Sequence, residues 1–128
     1  MIHLCAQIDG EETTALARAS LLGGRREEAA KIFEVLCDIW KNSTLLHAQE
    51  EESGWYLELS LQAKWRQTIA DLTLEHALLR KLYAEVENSL LLGKPLEEVL
   101  VYADEFLELQ RKHSEHEEKS LLSNPEQE

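Results

Sequence analysis

One stripe constrains this chain more than anything else in it. Trp65, Ile69, Leu72, His76, Leu79, Tyr83, Val86 and Leu90 recur at spacings of three and four. That period lines them along one face of an α-helix. Leu91-Leu92-Gly93 closes the run, and Gly93-Lys94-Pro95 starts another. Proline suits a first turn, and Glu97 and Glu98 fall at the positive end of the next helix dipole. Val99, Tyr102, Phe106, Leu109, His113 and His116 then repeat the same spacing, with Glu117 beside the line and an end expected near Ser123-Asn124-Pro125.

Two earlier helices are legible. One runs from about Arg25 into the fifties, with Ile32, Phe33, Leu36, Ile39 and Trp40 leading to Leu46 and His47, and Glu51 one turn on. Asn42-Ser43 and Ser53-Gly54 weaken it and predict a bend or break near Gly54. Trp55, Tyr56, Leu57 and Leu59 then cap the core or start the next turn. The first helix covers Thr13 to Leu22 and stops at Gly23-Gly24. Two starts compete for it. Asp9 with Glu12 resembles a capping box. A start at Ile2 instead places Gly10 inside the helix, at a cost of up to ~1 kcal/mol, and gives His3 a use; this longer helix is favoured. Four helices joined by short turns predict an all-α, up-down-up-down four-helix bundle over residues 1–124, with 125–128 as a disordered acidic tail.

Composition supports one helical domain: among 128 residues Gly (5) and Pro (2) are scarce. The net charge of -12 argues against nucleic acid and against anionic lipid as partners, since both require a basic surface. It suits a soluble protein or one that attracts cations. Cys5 and Cys37 lack CxxC spacing, so they read as buried thiols in a reducing cytoplasm. No apolar run approaches the roughly 18 residues of a membrane span and no signal peptide opens the chain. The expected location is cytoplasmic.

Against this background the polar residues on apolar stripes stand out. Burying an unpaired imidazole or carboxylate costs several kcal/mol or forces it neutral. Here His3, His47 with Glu51, His76, and His113 with Glu117 can all point into the middle of a bundle. A His at i and a carboxylate at i+4 share one helix face, and the chain has this pair twice, in His47-x-x-x-Glu51 and His113-x-x-x-Glu117. Such a pair can place nitrogen and oxygen on one metal, or let the carboxylate bridge two. Mixed imidazole and carboxylate donors suit iron, manganese or zinc, and bundle cores commonly hold dinuclear carboxylate sites. Plainer readings stand beside functional ones: His3 is a ligand or a terminal residue, His116 backs the ligands or lies on the surface, Arg80 pairs with a core glutamate or is solvated, Tyr83 and Tyr102 donate near the metals or pack in the core, and Glu50-Glu51-Glu52 and Glu115-Glu117-Glu118 include solvated carboxylates; the plainer reading is favoured for His116, Arg80, Tyr83 and Tyr102. No Gly-rich phosphate loop, nucleophile elbow or oriented Cys-His pair is present.

The run His47-Ala-Gln-Glu-Glu-Glu-Ser-Gly-Trp-Tyr resembles the H-x-x-x-E-E segment of the hemerythrin-like (HHE cation-binding) family, as does His113-Ser-Glu-His-Glu-Glu-Lys-Ser-Leu-Leu. Glu75-His76-Ala-Leu-Leu is similar to the third-helix histidine segment of that family, and His3 stands about where its first histidine would. The resemblance implies two iron ions, oxo- or hydroxo-bridged, with manganese or zinc as alternatives. His3, His47, His76 and His113 would be terminal ligands, and Glu51 and Glu117 would bridge. Three departures accompany it. Arg80 occupies the place of a second third-helix histidine, Glu118 falls at the H-x-x-x-x-D spacing and rivals Glu117, and Leu57 and Ser123 replace prolines. One nitrogen ligand fewer leaves a more open metal pair. The implied function is binding of iron and a small ligand such as dioxygen, for oxygen or iron binding or sensing. The alternatives are a di-iron enzyme acting on peroxide, nitric oxide or damaged iron-sulfur centres, and a metal-free helical interaction module.

Overall fold

The computed structural model describes residues 2–122, with side chains for 7–121. It is helical from end to end, and no strand occurs among the described residues. The helices are α1 (Ile2–Leu22), α2 (Arg26–Ile39), α3 (Leu46–Ser53), α4 (Trp55–Ser60), α5 (Arg66–Leu91) and α6 (Leu96–Glu117). α1 packs on α2 and α6, and α5 packs on α6 and α2. The residues predicted for the acidic tail lie outside those described. No described helix is long and apolar enough to cross a membrane.

The helix ends follow the expected punctuation. Gly24 (φ 75°) and Gly93 (φ 67°) adopt the left-handed conformation that ends α1 and α5. Arg25 N–H donates to Ser20 C=O at 2.8 Å and Lys94 N–H to Ser89 C=O at 3.0 Å, closing orphan carbonyls at each terminus. The chain takes the longer α1. Gly10 sits inside it because Trp40 lies against that point: a Cβ there would meet the Trp40 Nε1 at 2.9 Å. The propensity cost of an interior glycine is thus tied to the seating of a fully buried indole.

The second predicted helix is broken twice. Gly54 (φ −118°, ψ −96°) separates α3 from α4, as expected. The unexpected feature is a π-helical turn over Trp40–Leu45. One extra residue in a helix turns everything after it by about 100°. Leu46, expected on the core stripe, is therefore exposed, while Ala48 and Glu51 face inward. A second π-helical turn, Glu118–Leu122, follows α6.

Two apolar clusters result. The larger contains Ala17, Phe33, Leu36, Trp40, Leu79, Val86 and Phe106 among others, with the Trp40 and Phe106 rings stacked at 3.8 Å. The smaller contains Tyr56, Trp65, Ile69, Leu72 and Leu121. Along α5, His76 lies between Leu72 of one cluster and Leu79 of the other; along α6, His113 and Glu117 lie between Phe106 and Leu121. The polar layer is sandwiched between two dry ones.

Candidate metal centre

α5 and α6 carry their histidines at fully buried stripe positions: His76 is 1% exposed and His113 3%. α3 brings Glu51 (6%) and α6 brings Glu117 (1%) to the same depth. One ligand atom from each of Glu51, His76, His113 and Glu117 lies within 4.8 Å of the others. These four buried groups can hold a metal ion.

The individual distances say how. His76 Nε2 and His113 Nε2 are 3.0 Å apart. His76 Nε2 is 3.2 Å from Glu51 Oε1, and His113 Nε2 is 3.6 Å from Glu117 Oε2. His47 Nε2 stands 3.4 Å from the other Glu51 oxygen, so the Glu51 carboxylate spans His47 and His76. The sequence-predicted His47, Glu51, His76, His113 and Glu117 are thus brought together. His3 lies in α1, but its side chain is outside those described. Glu117 is buried in the cluster, whereas its rival Glu118 is exposed.

A ring of further groups sets the state of the two central imidazoles. His76 Nδ1 meets Glu52 Oε2 at 2.8 Å, and His113 Nδ1 meets Glu75 Oε1 at 2.7 Å. Burial raises the Glu52 carboxyl, but hydrogen bonds from Arg80 and His76 outweigh it and hold Glu52 below the usual carboxylate range. An ionised carboxylate only accepts, so His76 Nδ1 donates to Glu52, and His113 Nδ1 is paired in the same way with a Glu75 oxygen. The two Nε2 atoms approach each other to 3.0 Å, a hydrogen-bond distance. One ring donating to the other accounts for that contact, and so does a metal ion that both nitrogens ligate. Burial pushes His113 below its ordinary value, which disfavours its charged form. Two nitrogens each about 2.1 Å from one ion and at right angles to one another stand about 3.0 Å apart. The donors therefore fit a shared metal ion, and the carboxylate–histidine pairing is the arrangement that orients metal-bound imidazoles.

Five of these participants correct or extend the sequence reading. Arg80 takes the less favoured of its two readings, pairing with a glutamate: it donates to Glu52 Oε1 at 2.9 Å. His116, read as a surface residue, shares Glu75 with His113, its Nδ1 lying 2.7 Å from Glu75 Oε2. Glu52 and Glu75 themselves were missed. Both adjoin a candidate ligand in sequence, but their pairings cross between helices, and no periodicity reports that. Tyr56 was also missed as a site residue. It is 1% exposed, its hydroxyl donates a short hydrogen bond to Glu117 Oε2, and its ring stacks on His76 at 5.1 Å and 5°. Burial first, then the Glu117 carboxylate, holds the phenol well above its ordinary value and therefore protonated. Tyr83 instead donates to Glu87 at 2.9 Å, away from the cluster. Cys37 is a buried free thiol pushed up to about 12 by desolvation, and the Cys5 side chain lies outside those described.

Comparison with family models, with curated proteins and with solved structures gives no match for this chain.

Proposed function

We propose that this chain is a hemerythrin-like, non-haem di-iron protein, an up-down-up-down bundle acting in the cytoplasm. It binds iron at His47, Glu51, His76, His113 and Glu117, with His3 as a further ligand, and takes a small ligand such as dioxygen at the positions left open. Nucleic acid and membrane are not among its partners. One observation carries the reading: two buried imidazole nitrogens, 3.0 Å apart and flanked by two buried carboxylates, are backed by outer carboxylates on their other ring nitrogens.

Iron bound there would supply Lewis-acid and redox chemistry at its open positions. The protein's part is distinct. Glu52 and Glu75 hold the two rings by Nδ1, so that both Nε2 atoms face inward. Tyr56 pins one Glu117 oxygen and packs flat on His76, which limits the swing of both. Glu51, reaching toward His47 with one oxygen and toward His76 with the other, suits a bridging role. The two apolar clusters exclude bulk water above and below.

The test is metal analysis of protein expressed with iron, manganese and zinc all available. A pair of irons per chain with charge-transfer absorption in the near ultraviolet supports the proposal. A colourless, metal-free and fully folded protein contradicts it and favours an interaction module.

A further inference from the structure

We propose that a second copy of this chain docks on the outer face of α5 and α6, forming a two-fold dimer. The inference is independent of the metal reading.

α5 presents a second apolar row besides its core stripe. Leu74 is 60% exposed, Leu78 43%, and Leu92, which caps the helix, 73%. At 3.6 residues per turn, Leu74, Leu78, Lys81, Glu85 and Leu92 fall within about 60° of one another, on the side away from the core. A lone exposed leucine is ordinary, but a row along one helix face marks a contact surface. Beside this row, Leu78 and Leu82 share a groove with Tyr102 and Leu109 of α6, so the surface is two helices wide.

The charges on this face identify its occupant. Lys81 and Glu85 lie one turn apart, and neither forms an ion pair among the described residues. A two-fold interface sets residue i against j and j against i. An axis crossing α5 at the level of Tyr83 stands midway between Lys81 and Glu85. Antiparallel pairing about that axis sets Lys81 of each copy against Glu85 of the other. The same axis stands midway between Leu74 and Leu92, so these exposed leucines meet at both ends of the contact. Leu78 and Leu82 then face the groove of the other copy. One register thus matches both charges and both outlying leucines, a coincidence that an unrelated partner does not require.

The size suffices. From residue 74 to 92 the face is about 27 Å long, and with α6 beside it about 20 Å wide. That flat footprint of about 500 Å² is enlarged by side-chain relief toward the roughly 800 Å² per copy that a stable dimer buries. Two chains of net charge -12 repel, but at about 0.15 M salt charges are screened beyond about 8 Å, and pairs inside the contact are screened much less.

Sedimentation equilibrium of the full chain at that salt, across the micromolar range, tests the proposal. The wild type should dimerise. Leu78→Lys, at an exposed position, should weaken the dimer about a hundredfold with helicity unchanged. Lys81→Glu and Glu85→Lys should each weaken it about tenfold by setting like charges together. The double exchange of both residues should return it to within about threefold of the wild type. A monomeric wild type overturns the proposal and leaves the face to another kind of partner. A dimer that every single variant retains, or a double exchange no tighter than the single ones, overturns it equally. If Leu78→Lys does not fold, the three charge variants decide the question.

Discussion

The Trp40–Phe106 half of the molecule and the histidine layer are built on the same helices and obey opposite rules. In the first, the large inward side chains are apolar, with only small polar residues such as Thr14 and Ser89 buried beside them. Phe33, Leu36, Trp40, Val86 and Phe106 are buried to below 2% exposure, and each contributes about 1.5–3 kcal/mol of hydrophobic stabilisation. Two to three turns further along α5 and α6, the stripe continues with His76, His113 and Glu117, buried to 3% exposure or less but with polar and ionisable groups in place of methyl groups. The lesson is that burial alone does not mark a core. What separates a stabilising layer from a functional one is the chemistry of the groups it buries. In the histidine layer the groups pair through hydrogen bonds between polar and ionisable side chains, and four of them can hold a metal ion.

That contrast can be broken by paired substitutions. Phe106→Ala should lower the stability of the metal-free protein by about 3–5 kcal/mol, read by urea denaturation, and leave the metal affinity of the remaining folded fraction little changed. His76→Leu should do the reverse. It extends an apolar stripe and removes a buried imidazole, so metal-free stability should hold or rise by about 1 kcal/mol while iron content falls sharply. Unchanged iron in that variant would mean that His76 is not a ligand.

Carboxylates sharpen the comparison next. Glu117→Ala should abolish metal retention, while Glu118→Ala, on an exposed residue, should retain it. Equal retention in both contradicts the site. Glu75→Gln keeps the shape but removes the charge that fixes His113 and His116, and should weaken metal affinity about tenfold by competitive chelation, with little change in folding.

The smallest effect is on pH dependence of the metal-free protein. His113 in the folded chain titrates below its ordinary value of 6.5 because it is desolvated. The unfolded chain therefore takes up this proton first as pH falls. The associated stability is fully present above pH 6.5 and is lost as pH drops from there through the folded value. The expected slope in that window is at most about 1.4 kcal/mol per pH unit. Replacing His113 by Leu should flatten it, and an unchanged slope would assign it to other groups.

Most of the helical order was legible in the sequence. Periodicity reports which residues share a face, and Gly24, Gly93 and Pro95 mark where faces begin and end. The cluster of His47, Glu51, His76, His113 and Glu117 was legible for the same reason: each breaks an apolar stripe. The π-helical turn at Trp40–Leu45 was not, since Asn42-Ser43 announces weakness but not an inserted residue. Consequently Leu46 was assigned to the wrong face. The partners Glu52, Glu75, Tyr56 and Arg80 were hidden for a different reason. They act across helices, where contact depends on rotation and depth of packing rather than on spacing along the chain. Gly10 shows the same limit: its place in α1 makes sense only once Trp40 is seen against it.

The central claim is that a metal ion sits between His76 and His113. Anomalous diffraction at the iron edge, on crystals of the iron-loaded protein, tests it most directly. The account predicts a peak about 2.1 Å from both Nε2 atoms, with Glu51 and Glu117 oxygens turned toward it. A peak elsewhere, or none, with the two rings still hydrogen-bonded to each other at 3.0 Å, would contradict it.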